Sequence, residues 1–414
     1  MAERTHGSRR VSLGEIDSAR SRHMWTRSSV HLTADLVLAG QWDGRLTAFD
    51  RDCDSLDPRW EITHPGHPVT LGSLEDELVV GSRGEVGTIA AYDLATGERR
   101  WAYETATDIG PPAKDGIFAL PYVVALETDP DRGAVYAVAR RYERDGADRR
   151  WHSTVFAFDA DGRVRWRYET DASPISIDVN EAGDRLAVGY NRCMGSHDVG
   201  LVVLDTGSGE TRWDWDPGTD GDRRVGDVSF DGPHLAVASH GDKRGYLLGP
   251  GGEERWRLDL AVETELGDET LYAYPNHVSA IDDRITFATG NTYAKESRDT
   301  DSLHPNEHQL TVVDAAGDPL WNASLDGFAH ELTTADDTLV VPCAQHFRTR
   351  DSAAHGVRRF DAENGPIEGV PTDGIATAVA ADERTIAAVE EPVAYHDETQ
   401  VRGEYALHTI PLDR

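Results

Sequence analysis

Short runs of alternating apolar and polar residues recur along most of the chain, set apart by Gly, Asp, Asn and Pro. PISIDV, RLAVGY, HVSAI and RITFATG place apolar side chains at every second position, the period of a β-strand with one covered face. Pairs of such strands precede a hairpin with a fixed signature. In AYDLATGERRW, Ala91, Asp93, Thr96, Gly97 and Trp101 mark an apolar strand that runs into Asp, a turn containing Gly, and a second strand that carries Trp. Related copies place Asp159, Gly162 and Trp166 in AFDADGRVRW, Asp205, Gly209 and Trp213 in VLDTGSGETRW, and Asp314, Gly317 and Trp321 in VVDAAGDPLW. A worn copy ends at Trp256.

Four antiparallel strands ending in an aromatic residue make one twisted sheet that cannot bury both faces alone, so copies must stack face to face. That is the logic of a β-propeller blade. Successive Trp anchors from Trp60 are spaced by 41, 65, 47, 43 and 65 residues, and the two long gaps mark insertions. Two weaker copies follow: RRFDAENGPIEG, where Gly369 replaces the Trp, and a last strand YALHTIPL. The expected fold is all-β: an eight-bladed propeller of four-stranded antiparallel blades, with seven blades as the alternative. An N-terminal strand within about residues 8 to 27 is expected to complete the last blade, with blades over 28–412 and the whole of 1–414 as a single domain.

The run Ala91-x-Asp93-x-x-Thr96-Gly97-x-x-x-Trp101 resembles the tryptophan-docking motif of the quinoprotein-type propellers with PQQ-like repeats, and the likeness covers roughly residues 30 to 412. The resemblance implies the fold more strongly than any chemistry, because this scaffold carries enzymes, assembly factors and sensors alike. In the dehydrogenases of the family it implies a quinone packed on a disulfide of adjacent cysteines, calcium held by Glu, Asn and Asp, and an Asp base. Cys53, Cys193 and Cys343 are far apart in sequence, and no Asp matches that base by motif, so no cofactor, PQQ included, is expected.

Charge changes the picture of the surface. Asp and Glu number 74 against 41 Lys and Arg, a net charge of −33, and Lys114, Lys243 and Lys295 are the only lysines. Such a surface repels nucleic acid in ordinary buffer. In multimolar salt the screening length falls to about 3 Å and self-repulsion fades. The pattern resembles proteins of extreme halophiles, haloarchaea among them. An odd set of isolated cysteines frames no disulfide network and fits a reducing cytoplasm. Ser8-Arg9-Arg10-Val11-Ser12-Leu13 is similar to a twin-arginine signal, but a polar stretch follows it rather than an apolar one, so cytoplasmic residence is the expectation.

Two groups of residues are candidates for function. The segments GIFALPYVV and TLYAYPNHV each end a long connection into an inner strand, and they put Phe118, Tyr122, Tyr272, Tyr274, Asn276 and His277 at the mouth of the expected channel. His330 begins the next inner strand, and this set is the expected partner or ligand face. Cys193, His197, His240, His304, His308 and His346 fall in loops of the same face, and imidazole and thiolate suit zinc-like ions. Their spacing does not force them together, and a plain reading leaves them as loop residues. His304-Pro305-Asn306-Glu307-His308 matches an HxxEH protease pattern, but Pro305 and its turn-forming neighbours predict no helix to carry it. The expected function is a non-catalytic scaffold that docks a protein partner, without nucleic acid or membrane insertion. The alternative is a quinone- or metal-dependent enzyme or ligand sensor built on the His-rich loops.

Overall fold

A computed structural model of the protein describes residues 8–20, 27–51, 55–114, 116–295, 300–395 and 398–412, which leaves Cys53 outside the described residues. The chain forms two compact units, one over Gly72–Ser324 and one that joins Met1–Leu71 to Leu325–Arg414. Both are built from antiparallel sheets in which most neighbouring strands follow one another in chain order, and among the described residues helix is confined to single short turns such as Ala106–Ile109.

Burial explains the strand patterns. The outer strands Arg99–Glu104, Glu254–Asp259 and Pro319–Ser324 alternate exposed with half-buried residues and set their Trp at a half-buried position. Central strands such as Thr88–Asp93 are buried along their whole length instead. A central strand stands between two neighbouring sheets and loses water on both faces, so alternation survives only at the edges. Small residues thin these strands for close stacking, as Ala236 and Ala238 do beneath Phe287.

In the unit Gly72–Ser324, the Trp-bearing hairpins lock each sheet to the next. The Trp101 indole lies on Gly162 of the following hairpin, where a Cβ would stand 2.4 Å from the ring, and Nε1 donates to the Ala160 carbonyl at 3.0 Å. Trp166 meets Gly209 with 2.7 Å of such clearance and donates to the Thr206 carbonyl at 2.8 Å. Trp256 meets Gly317 with 2.9 Å and donates to the Ala315 carbonyl at 3.0 Å. Trp213 packs on Gly252, with 2.8 Å to the absent Cβ, but its buried Nε1 finds no acceptor among the described residues. The four glycines have φ between 73° and 85°, which L side chains rarely adopt. The Asp of the motif makes that turn: Asp93 Oδ1 accepts from the Thr96 amide and hydroxyl, both at 2.8 Å, and Asp205 Oδ1 accepts from the Ser208 amide at 2.9 Å.

The first strands of neighbouring sheets are tied differently, because their outer edge has amides without a strand to pair with. Asp178 accepts from the Phe230 amide at 2.5 Å, Asp227 from the Val278 amide at 3.0 Å and Ser229 from the Ala280 amide at 3.1 Å. Side chains of one sheet therefore satisfy the backbone of the next.

The 65-residue gap before Trp166 resolves into a long hairpin, Ala134–Asp145 paired with Asp148–Asp159, rather than a loop alone. The gap before Trp321 holds a small sheet in which Thr264–Leu266 pairs with Glu269–Tyr272, and Tyr272 pairs with Tyr293.

In the other unit, Arg9–Gly14 pairs with Tyr405–Pro411 and completes the sheet of Ile375–Ala381 and Thr385–Glu391. The N-terminal strand expected within about residues 8 to 27 is thus present and short. Buried Arg27 follows it and donates Nε to Glu391 Oε2 at 3.0 Å, while Ser28 Oγ donates to Glu391 Oε1 at 2.9 Å. Leu13 packs there with Val37, Phe49, Val389 and Leu407.

The indole contacts predict a coupled pair of variants. Gly209→Ala should lower the unfolding free energy by about 2–4 kcal/mol through the left-handed backbone and the collision with Trp166, and Trp166→Ala by about 3–5 kcal/mol. The double variant should cost clearly less than the sum, because one contact is lost twice. Denaturant unfolding of all three proteins checks this, and strict additivity would refute the docking interpretation.

Candidate functional site

In three sheets within Gly72–Ser324, an arginine of the second strand lies beside the start of a first strand. Arg83 closes Glu77–Arg83, Arg140 pairs opposite Tyr122, and Arg192 pairs opposite Ser173. A bridge between Tyr122 and Arg83 joins the two neighbouring sheets at this end. Tyr122 consequently lies between two guanidinium groups, whose central carbons are 4.9 Å (Arg83) and 5.5 Å (Arg140) from its ring centre. Phe118, 53% exposed, lies 5.8 Å from Arg83 in the same way. Arg83 Nε donates to the Ile117 carbonyl at 2.8 Å and Arg140 Nη1 to the Pro174 carbonyl at 3.0 Å. Neither forms an ion pair with a carboxylate among the described residues. Burial pushes Arg83 down to about 10 and lowers Arg140 as well.

A second group gathers around Tyr274. Tyr272, Tyr274 and Tyr293 contact one another with ring centres 5.5 to 5.7 Å apart. The Arg223 guanidinium is 4.7 Å from the Tyr274 ring centre, and Lys243 Nζ is 5.0 Å from Tyr272 and 5.5 Å from Tyr274. A backbone bridge sets Arg192 beside Arg223. His240, buried, tilts against Tyr274 at 5.0 Å, with Nδ1 3.3 Å from Asn191 Oδ1. Burial first, and then the Arg223 charge, hold His240 well below its ordinary value, so it is neutral.

Below both groups the first strands carry carboxylates. Glu127 and Asp178 lie on neighbouring sheets, followed by Asp227 on the next. Burial and then the neighbouring Asp178 push Glu127 up to about 8. Burial pushes Asp178 up to about 7, opposed by the Phe230 amide and reinforced by Asp227.

The residues expected at the mouth therefore divide. Phe118 and Tyr122 meet in one group, Tyr272 and Tyr274 in the other, with Asn276 half-buried close by. His277 Nδ1 is 3.7 Å from Asp227 Oδ2. His330, in the other unit, donates its amide to the Pro342 carbonyl at 3.2 Å. Several of the candidate metal ligands are engaged locally. Cys193 Sγ donates to the Val199 carbonyl at 3.2 Å, and burial pushes its thiol up to about 12. His197 packs on Tyr190 at 4.4 Å. His304 lies with Nε2 3.0 Å from the Val262 carbonyl, while its Nδ1 accepts from the Asn306 amide at 3.1 Å. His308 Nε2 is 3.5 Å from Glu307, and His346 Nδ1 accepts from the Arg348 and Thr349 amides, each at 3.2 Å. Among the described residues, no three of Cys193, His197, His240 and His304 converge as a ligand set. Residues 304–308 form a turn, not a helix, as Pro305 predicts.

Sequence reasoning missed Arg83, Arg140, Arg192, Arg223 and Lys243. A signal existed for some of them: GSR and YNR each put an arginine at the end of a buried strand, and Lys243 is one of only three lysines.

Comparisons with known proteins agree with this architecture. A family model described as outer membrane protein assembly factor BamB matches residues 59–231. The quinohemoprotein alcohol dehydrogenase of Comamonas testosteroni is 25% identical over 234 residues, which are 51% of this chain and 30% of that protein, so the chain spans about a third of the relative's length. The crystal structure of that enzyme superposes with a TM-score of 0.62 at 12% identity, covering 92% of this chain and 74% of the other. BamB from Moraxella catarrhalis gives 0.56 at 14% identity over 96% and 99% of the two chains. The computationally designed Ika8 protein gives 0.62 at 12% identity over 97% and 98%. The matches support the PQQ-like repeat family and an all-β, propeller-type fold of four-stranded antiparallel sheets.

The carboxylates predict a pH dependence of stability. Native Glu127, at about 8 against 4.5, and Asp178, at about 7 against 3.8, hold protons that the unfolded chain releases at lower pH. Their contribution is complete below the unfolded values and is lost as pH rises through the native ones. The melting temperature at fixed salt should fall from about pH 5 to about pH 9, and Glu127→Gln should flatten the upper part of that fall. An unchanged slope in the variant would count against a protonated Glu127.

Proposed function

We propose that the protein is a non-catalytic scaffold of the PQQ-like propeller type, and that the end of the sheets bearing Phe118, Tyr122, Arg83 and Arg140 docks a protein partner. One observation carries the reading: an exposed Phe and a Tyr held between two guanidinium groups, which have no ion-pair partner among the described residues, on a chain of net charge −33. Arginine and aromatic residues dominate the energetic centres of protein interfaces. Stacked cations also suit acidic side chains of a partner, and the apolar part of such contacts survives salt that screens exposed charge pairs.

The proposed architecture is eight four-stranded blades, with the strand Arg9–Gly14 serving as the outer strand of the last. We take 1–414 as a single domain in a high-salt cytoplasm, a setting supported by the acidity and the scarcity of lysine. Similarity to the quinohemoprotein alcohol dehydrogenase supports a second reading, in which the same end of the sheets serves a ligand-binding or enzymatic role.

Capture in multimolar salt tests the first reading. One partner should be retained at stoichiometric yield by the native protein, and Phe118→Ala and Tyr122→Ala should each weaken it by about tenfold or more. Retention of the partner by both variants would refute the proposed surface. Stoichiometric quinone or metal on the purified protein, with turnover of an alcohol, would establish the second reading instead. A single cooperative unfolding transition is expected for one domain, and two separated transitions would reject that assignment.

A further inference from the structure

The cationic group around Tyr274 stands apart from the Phe118–Tyr122 surface, and it is built from different elements. Arg192 ends the strand Arg185–Arg192, Arg223 precedes Val225–Asp231, and Lys243 precedes Arg244–Leu248. The backbone bridge between Arg192 and Arg223 sets two positive charges side by side, and the Arg223 guanidinium faces the Tyr274 ring. Two like charges held this close cost free energy unless an anion or a carboxylate offsets them.

Among the described residues, carboxylates supply that offset only in part. None of Arg192, Arg223 and Lys243 forms a salt bridge among the described residues. The three acidic side chains that act on the group are Asp222, Asp242 and Glu263. Asp222 is exposed. Asp242 is engaged by the Tyr246 hydroxyl and by Arg244 at 3.3 Å, and Glu263 lies 3.8 Å from Lys295. What Arg223 and Lys243 do contact is neutral: Asn191 Oδ1 at 3.4 Å from Arg223 Nη1, and the Gly241 carbonyl at 2.8 Å from Lys243 Nζ.

The rest of the wall is neutral or a donor. His240 adds no negative charge, and the Tyr272 hydroxyl, pushed up to about 12 by burial and by Tyr274, keeps its proton. The small sheet inserted before the Trp321 sheet fixes Tyr272 against Tyr293 and so gives the site a rigid side. Gly226 makes room for His240, since a Cβ there would stand 2.5 Å from Nε2.

We infer that this group is a binding site for the phosphate of a small phosphate ester, held by Arg192, Arg223 and Lys243 against the tyrosine wall. Three cations from three elements match a compact dianion better than a single carboxylate or halide, and guanidinium groups suit its oxygens in paired hydrogen bonds. The inference goes beyond the scaffold reading and does not depend on it, because partner docking was assigned to other residues.

Calorimetric titration of the full chain at constant high salt tests it, with inorganic phosphate, phenyl phosphate, citrate and benzoate as probes. Saturable 1:1 binding of phosphate and phenyl phosphate is expected, at least tenfold tighter than benzoate or citrate. Arg223→Gln and Lys243→Met should each weaken it by tenfold or more while melting within a few degrees of the native protein, and Arg83→Gln should leave it unchanged. Should either variant fail to fold, Tyr272→Phe provides the second readout, with an expected loss of about threefold to tenfold from one donor removed. Absence of saturable phosphate binding, equal or tighter binding of citrate, or equal weakening by Arg83→Gln would each overturn the site. Partner capture by Arg223→Gln should be native-like, so failure here and failure of the scaffold reading give different results.

Discussion

An indole that lies flat on a glycine of the next hairpin is the contact on which the described architecture rests. It combines three requirements in one place: a turn with positive φ, the absence of a Cβ, and a backbone carbonyl aimed at the indole nitrogen. Trp101, Trp166 and Trp256 meet all three, while Trp213 meets the first two and leaves its nitrogen without an acceptor among the described residues. Apolar burial supplies most of the attraction, and the hydrogen bond sets the register of one sheet on the next. The ties between first strands do the same work at the opposite edge with carboxylates and hydroxyls. Within Gly72–Ser324, sheets that carry both kinds of contact are held along both long edges, and their central strands are dry on both faces.

These contacts were legible because each is local in sequence. Asp, Gly and Trp fall within one hairpin, and their spacing follows from turn geometry. The cationic groups were not legible for the opposite reason. Tyr122 and Arg140 are opposite each other in one pairing, but Arg83 belongs to the preceding sheet. Arg192 and Arg223 lie on different sheets and meet through a single bridge. Contacts between sheets have no sequence period, so Phe118 and Tyr274 could be singled out as aromatic residues without their partners. The candidate metal residues show the converse. Cys193 and His304 share loops of one face, but their lone pairs and protons are used by nearby backbone, which composition does not disclose. The long gaps mark insertions, and only the pairing partners show that one is a hairpin and the other a small sheet.

Charge is distributed unevenly in a way the net value conceals. A chain of −33 keeps arginines and a lysine that form no salt bridge among the described residues at one end of the sheets in Gly72–Ser324, and burial raises the pKa of Glu127 and Asp178 on the first strands. Such a concentration of positive charge on an acidic chain attracts anions. Arginine suits this position better than lysine, because a planar guanidinium stacks on an aromatic ring and keeps its charge when partly dehydrated.

The pairing of Arg9–Gly14 with Tyr405–Pro411 has a consequence for synthesis. The earlier of the two strands must wait for nearly four hundred further residues before its hydrogen-bonding edge is satisfied. Until then it offers bare amides to any other nascent chain, a period of exposure that chaperones would have to cover. So distant a pairing also carries a loop-closure entropy that a local hairpin does not, which favours completion of this sheet after its local hairpins have formed.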